Sequence, residues 1–193
     1  IERSKLLSIK EFLVEFNTLP QSEIIFLEKL AKKYRTKTKS KHKFDVVNEL
    51  LDLVDVIPNS IVLAQAANES GWGTSRFARE YNALFGEYTY DFSNGVVPLL
   101  REEGKKHLVK AFESVDKSVH SYFINLNSHY AYKDFRDVRK IMRKNKNFSN
   151  INLLVDELHT YAADENYITT IKSIIDINTL YKFDNFNYFN TES

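Results

Sequence analysis

The 193-residue chain contains no cysteine, so neither a disulfide nor a thiolate nucleophile enters its chemistry, while its compartment stays open. Proline occurs three times and glycine five times, and no run approaches the roughly 18 apolar residues that a membrane span needs. Charge of neither sign dominates: 27 Lys and Arg face 26 Asp and Glu, a formal net of +1, which gives no general attraction to nucleic acid. The opening "IERSKLLSIKEF" is too charged for the core of a signal peptide. A start at Ile1 rather than Met leads us to expect a processed or truncated product. What the chain does have is 43% hydrophobic residues, enough to bury a core in one domain with a helical extension.

Most of that apolar content recurs at helical spacing. Leu6, Leu7, Ile9, Leu13, Val14 and Phe16 predict an amphipathic helix over 4–17 with Ser4 as its N-cap, and Ile24, Ile25, Leu27, Leu30 and Ala31 predict a second over 22–34. "KKYRTKTKSKHK", Lys32 to Lys43, has no acid and no apolar period, and reads as an exposed basic connector. With only Tyr34 and Phe44 as aromatic neighbours it does not compose a nucleic-acid surface. Phe44 to Pro58 reads as a helix stopped by its proline, and Pro58 then suits the first turn of a helix running to about Ser70. Six of the eight residues from Ile61 to Asn68 are Ile, Val, Leu or Ala, the mark of a helix buried on nearly all sides.

All five glycines fall between Gly71 and Gly104. Within that stretch "GEYTYDF" and "GVVPLL" flank Asn94-Gly95, and a second turn is expected at Glu103-Gly104, so short strands with two tight turns are predicted over 87–112. Helical spacing returns in four segments between Ser114 and Asn178, and the tail from Tyr181 reads as a docked or frayed end. The expected organisation is a helical extension and basic loop over 1–43, followed by one domain over 44–193.

Glu69 stands out against this background, because a nearly apolar helix delivers it into the turn "GWG". Gln65 lies one helical turn earlier on the same face. Burial opposes ionisation of a carboxyl, and the negative end of the helix dipole acts in the same direction, so Glu69 is expected to hold its proton unusually well. Such an acid can donate to a glycosidic oxygen. Gly71 and Gly73 permit the positive φ that ends the helix, and Trp72 supplies a flat apolar surface suited to a sugar ring. Asn82 has the donor and acceptor an acetamido group requires, and Tyr88, Tyr90, Tyr161 and Tyr167 offer aromatic faces with polar tips.

The stretch "LAQAANESGWGTSRFAREYNALFGEY" resembles the active-site segment of bacterial N-acetylglucosaminidases of glycoside hydrolase family 73, and most closely their Bax-type branch. The resemblance implies a lysozyme-like, mainly α (α+β) domain with a small β-hairpin lobe, in which Glu69 is the essential acid. It also implies that Asn82, Phe85 and Gly86, the matches to an "N-x-x-F-G" element, shape the sugar site. "YAADENY", Tyr161 to Tyr167, is similar to the family's second element, whose first tyrosine lines the cleft; Ala163 replaces its threonine. A glutamate of the β-rich lobe is the family's proposed second carboxylate. The matching region offers Glu102 and Glu103, with Glu87 and Asp91 as alternatives, and Glu103 is favoured.

The expected activity is cleavage of the β-1,4 bond after N-acetylglucosamine in peptidoglycan. The catalytic set is Glu69, Tyr161 and Glu103, and Gln65, Trp72, Asn82, Phe85, Gly86, Tyr88 and Tyr167 are expected to bind substrate. The five histidines are too widely spaced for a metal motif, and neither a phosphate loop nor a nucleophile elbow is present, so no metal or cofactor is expected. Expected partners are peptidoglycan glycan strands rather than nucleic acid or a membrane core, and the chain is expected to act as a monomer in the periplasm, the envelope or outside the cell. A lytic transglycosylase and a non-catalytic wall-binding module are the alternatives.

Overall fold

The computed structural model describes residues 1–39, 41–98 and 106–185. They form a mainly helical protein with one small sheet, in two compact units that interleave along the chain: Ile1–Val56 with Ile124–Ala163, and Ile57–Phe123 with Asp164–Asn185. The chain passes from one unit to the other after Val56, Phe123 and Ala163, the second of these inside a helix. Among the described residues no helix is long and apolar enough to cross a membrane.

The first unit contains α1 (Glu2–Phe16), α2 (Gln21–Lys33), α3 (Lys43–Leu53), the end of α6 (Val115–Ser128), α7 (Lys133–Lys144) and α8 (Asn152–Asp156). The amphipathic stripes meet as their spacing predicts: Leu6, Ile9 and Leu13 join Leu27, Leu30, Val47 and Leu50 in one core. Ser4 is not the cap of α1, which starts earlier, at Glu2, without a side-chain cap. The basic connector is shorter than expected, since Lys32 and Lys33 finish α2 and Tyr34 is buried with its hydroxyl donating to Glu2.

Pro58 does not terminate α3; the helix stops at Leu53. Residues 52–56 instead present acceptors to an arginine cluster. Arg139 donates to the carbonyls of Val56 and Asp52 at 3.0 and 3.1 Å, and Asn127 donates to that of Asp55 at 2.9 Å. The Asp55 carboxylate is bound by both Arg143 guanidinium arms, one at 2.8 Å, and has Arg3 at 3.5 Å and Arg139 at 3.8 Å. An unwound segment is needed because a helix would have consumed those carbonyls internally.

The second unit contains α4 (Asn59–Ser70), α5 (Arg76–Tyr81), three short strands, the start of α6, and α9 (Tyr167–Ile177). α4 packs against α9 and against a 3-10 turn at Leu180–Phe183. The tail is docked up to this point: the Asp184 carboxylate accepts from the Ser60 backbone N–H and hydroxyl at 2.8 and 2.7 Å, capping an α4 whose own N-cap, Pro58, has no side-chain acceptor. α4 is less buried than its composition suggests, with Leu63 exposed while Ile61, Ala64 and Gln65 are buried.

The β lobe differs from a hairpin at Asn94-Gly95. β1 (Tyr88–Thr89) and β2 (Gly95–Val96) do not pair with each other; both lie antiparallel against β3 (Leu108–Lys110), in the order β1-β3-β2. The 89–94 segment closes on itself instead, through Asn94 N–H to the Asp91 carbonyl and Thr89 Oγ1 to Asn94 Oδ1. Glu102, Glu103 and the turn expected at Gly104 lie outside the described residues.

Burial alone would raise the Asp55 pKa, but Arg139, Arg143 and Arg3 outweigh it and hold the carboxyl below its ordinary value. A depressed folded-state pKa gives stability that is present above the unfolded value and lost as pH falls through the folded one. Asp55→Ala removes the counter-charge of buried guanidinium groups, and thermal or denaturant unfolding should show a loss of about 3–5 kcal/mol. That loss should shrink on titration from neutral pH to well below pH 4, because acid removes the same carboxylate from the wild type.

Candidate active site

The end of α4 is set by three successive left-handed residues: Gly71, Trp72 and Gly73 have φ of 57°, 57° and 74°. Glycine bears this conformation freely, whereas tryptophan has a Cβ and pays for it. Trp72 N–H returns to the Ala67 carbonyl at 2.7 Å, and Gly73 N–H donates to Ser70 Oγ at 2.7 Å, so the turn satisfies helix-end groups as it reverses the chain. The indole itself is 63% exposed. With Leu63, Ala67, Leu180 and Phe183 it lines an apolar groove of about 620 Å³.

Glu69 occupies the last turn of α4 and is half-buried. Asn68 Nδ2 donates to its Oε1 at 3.2 Å, and the Tyr167 hydroxyl of α9 hydrogen-bonds its carboxyl. The backbone at Gly86 approaches the other oxygen: a Cβ there would lie 3.3 Å from Glu69 Oε2, on a residue whose φ is +62°. Loss of hydration raises the Glu69 pKa above its ordinary value, and the bonds from Asn68 and Tyr167 only partly offset that effect. Among the described residues, none of the causes of the shift is a charged side chain.

Behind the carboxyl lies a buried polar line. Tyr122 of α6, wholly buried, donates its hydroxyl to Gln65 Oε1 at 2.6 Å, and Gln65 Nε2 donates to the Tyr167 oxygen at 2.7 Å. Gln65 is 0% exposed and Tyr167 3%, so neither presents a surface to substrate as the sequence analysis expected. Their polar atoms are spent on each other, and Tyr167 meets Glu69 from the protein side. Phe85 is buried too, its ring stacked on Tyr122 with centroids 4.1 Å apart, which makes it support and not a sugar platform.

The other candidates separate clearly. Asn82 ends α5 in a left-handed conformation and donates through Nδ2 to the Phe112 carbonyl at 3.0 Å, tying the segment after β3 to the site loop. Tyr88 and Tyr90 are exposed, and Tyr88 leans on His107. Tyr161 belongs to the first unit, with its ring 6.0 Å from that of Tyr132. Glu87 accepts from Ser121 at 2.8 Å and has Lys110 at 3.8 Å, while exposed Asp91 accepts from the Ser93 N–H as a turn residue. His42 and His129 accept backbone N–H groups at the starts of α3 and of the 130–132 turn. Among the described residues no group of three His, Asp or Glu is placed to hold a metal ion.

Tyr122 is the residue that sequence reasoning overlooked. Its signal was its register: Ser118, Tyr122 and Leu126, spaced by four along α6, are all buried, and a tyrosine on a buried stripe requires a partner for its hydroxyl.

Two comparisons bear on this site. Residues 45–180 match the glucosaminidase family, described as mannosyl-glycoprotein endo-beta-N-acetylglucosaminidase. Protein bax of Escherichia coli (strain K12) is 38% identical over 137 residues, which is 71% of this chain and 48% of that protein. The chain thus spans about half the length of that curated relative.

Gly86 is the residue whose replacement tests the close approach. In Gly86→Ala the new methyl meets Glu69 Oε2 while a left-handed φ is forced on a residue with a Cβ. We expect a destabilisation of about 1 kcal/mol in thermal unfolding. The Glu69 carboxyl resonance should also shift, read by NMR on carboxyl-labelled protein. A resonance left unmoved would show that the glycine serves the turn alone.

Proposed function

The chain belongs to the mannosyl-glycoprotein endo-beta-N-acetylglucosaminidase family, and we propose that it hydrolyses the β-1,4 bond after N-acetylglucosamine in peptidoglycan, with Glu69 as general acid. The observation that carries this reading is a half-buried carboxyl, raised in pKa by lost hydration, with its Oε2 beside the side-chain-free Gly86. A carboxyl that keeps its proton toward neutral pH donates it to the glycosidic oxygen as the bond breaks and positive charge builds on the sugar ring. Asn68 and Tyr167 then stabilise the carboxylate left behind.

Around that acid, the exposed indole of Trp72 is assigned a sugar-facing role, and Tyr88 a more distal one. Tyr161 is assigned a sugar contact on the family resemblance. The second carboxylate is assigned to Glu103 on the family resemblance, while Glu87 accepts from Ser121 and has Lys110 at 3.8 Å. The substrate places the action in the cell envelope. A lytic transglycosylase is the second reading, since one acid with its hydroxyl partner suffices for that reaction.

Glu69→Gln keeps the shape and removes the proton. With circular dichroism unchanged, release of soluble fragments from purified peptidoglycan should fall by about 10²–10⁴-fold. In the wild type, kcat/KM should decline on the alkaline side as Glu69 loses its proton, with a midpoint above the ordinary glutamate value. Mass spectrometry of the products should find reducing N-acetylglucosamine ends. Anhydromuramic ends would favour the transglycosylase, and unchanged turnover by Glu69→Gln would remove Glu69 from the reaction.

A further inference from the structure

The hydrogen bonds behind Glu69 have a direction. The Tyr122 hydroxyl can satisfy Gln65 Oε1 only by donating, which turns the Gln65 amide nitrogen toward Tyr167. The Tyr167 oxygen then accepts from Gln65, and its own proton points to the Glu69 carboxyl, to which it is hydrogen-bonded. Tyr122 and Gln65 are 0% exposed, so water does not compete for these bonds. We propose that Tyr122 and Gln65, neither of which touches Glu69 through a bond of this line, are positioning residues that fix the Tyr167 hydroxyl as a donor and thereby orient the Glu69 carboxyl toward Gly86.

This inference rests on the reading of Glu69 as the acid, but it makes a statement about Glu69 that can be measured without turnover. A donated bond favours the carboxylate, so weakening it moves the Glu69 pKa upward. The groups acting on Glu69 are Asn68 from its own helix and Tyr167 from α9; among the described residues, the charges carried by α9 and the terminal turn, Lys172, Asp176, Lys182 and Asp184, are not among the causes of its shift. Asp184 is held at the opposite end of α4 by Ser60.

Tyr122→Phe is the decisive variant, because phenylalanine keeps the ring stacked on Phe85 and deletes only the oxygen that orders the amide. In the full chain, NMR titration of carboxyl-labelled Glu69 should move its midpoint up by about half a pH unit in Tyr122→Phe and by about one unit in Tyr167→Phe. The alkaline limb of kcat/KM on peptidoglycan should follow, with kcat reduced roughly threefold to tenfold in Tyr122→Phe. Gln65→Met serves as the second variant, removing both amide atoms at similar volume, and should match Tyr122→Phe in direction.

A Glu69 midpoint unchanged in Tyr122→Phe and Gln65→Met, with only the melting temperature lowered, reduces the line to packing and overturns the proposal. A downward midpoint in Tyr167→Phe overturns it as well, because Glu69 would then be the donor and the line would run in reverse. If Glu69→Gln retains activity while these midpoints still rise, the positioning stands and the assignment of Glu69 as the acid is what fails.

Discussion

Withdrawing the Glu69 carboxyl from water raises the free energy of its anion, and among the described residues that cost is met with hydrogen bonds from Asn68 and Tyr167 in place of a cation. The distinction decides what the residue can do. A guanidinium at the same place would have held the carboxyl ionised and useless as a proton donor near neutral pH. Neutral donors stabilise the anion more weakly than a full charge does, so the balance at Glu69 stays on the side of a raised pKa.

Asp55 shows the other outcome within one chain. Its side chain is 4% exposed, deeper than Glu69, yet its pKa is lowered because Arg139, Arg143 and Arg3 surround it. The burden of that cluster shows on the partner: burial outweighs Asp55 and brings the wholly buried Arg139 down to about 10. Burial by itself therefore does not predict protonation. The cations at the carboxyl set the direction of the shift: Asp55, with three arginines, is a structural ion-pair centre, whereas no charged side chain is among the causes of the Glu69 shift.

How much of this was legible follows from what a linear pattern encodes. Helix existence followed from apolar spacing, and α1, α2 and α4 lie close to their expected spans. The end of α3 was misread because Pro58 is a local signal, whereas the true stop at Leu53 exists to offer carbonyls to Arg139, which is 83 residues away from Val56 in sequence. Glu69 was legible because its unusual neighbours, an apolar helix before and glycines after, are adjacent in the chain. The partners of Gln65 and Tyr167 were not legible for the opposite reason. A polar side chain near an acid looks like a substrate contact until the fold brings in Tyr122, 57 residues along, to occupy it.

The same line constrains the helix as a whole. Successive residues of an α-helix are about 100° apart, so Gln65 and Glu69 project only about 40° from each other around α4, and no rotation of the helix can move one without the other. Gln65 is gripped from both sides by hydroxyls at 2.6 and 2.7 Å. Asp184 holds the first turn through Ser60, and the left-handed run from Gly71 to Gly73 fixes the last. Rotation is thus checked at the start, the middle and the end of one short helix, which fixes the direction in which Glu69 projects. The apolar faces of Ile61 and Ala64 supply burial but no rotational register, since an aliphatic surface is tolerant of small turns where a hydrogen bond is not. The buried Gln65 amide supplies that register through its two hydroxyl partners.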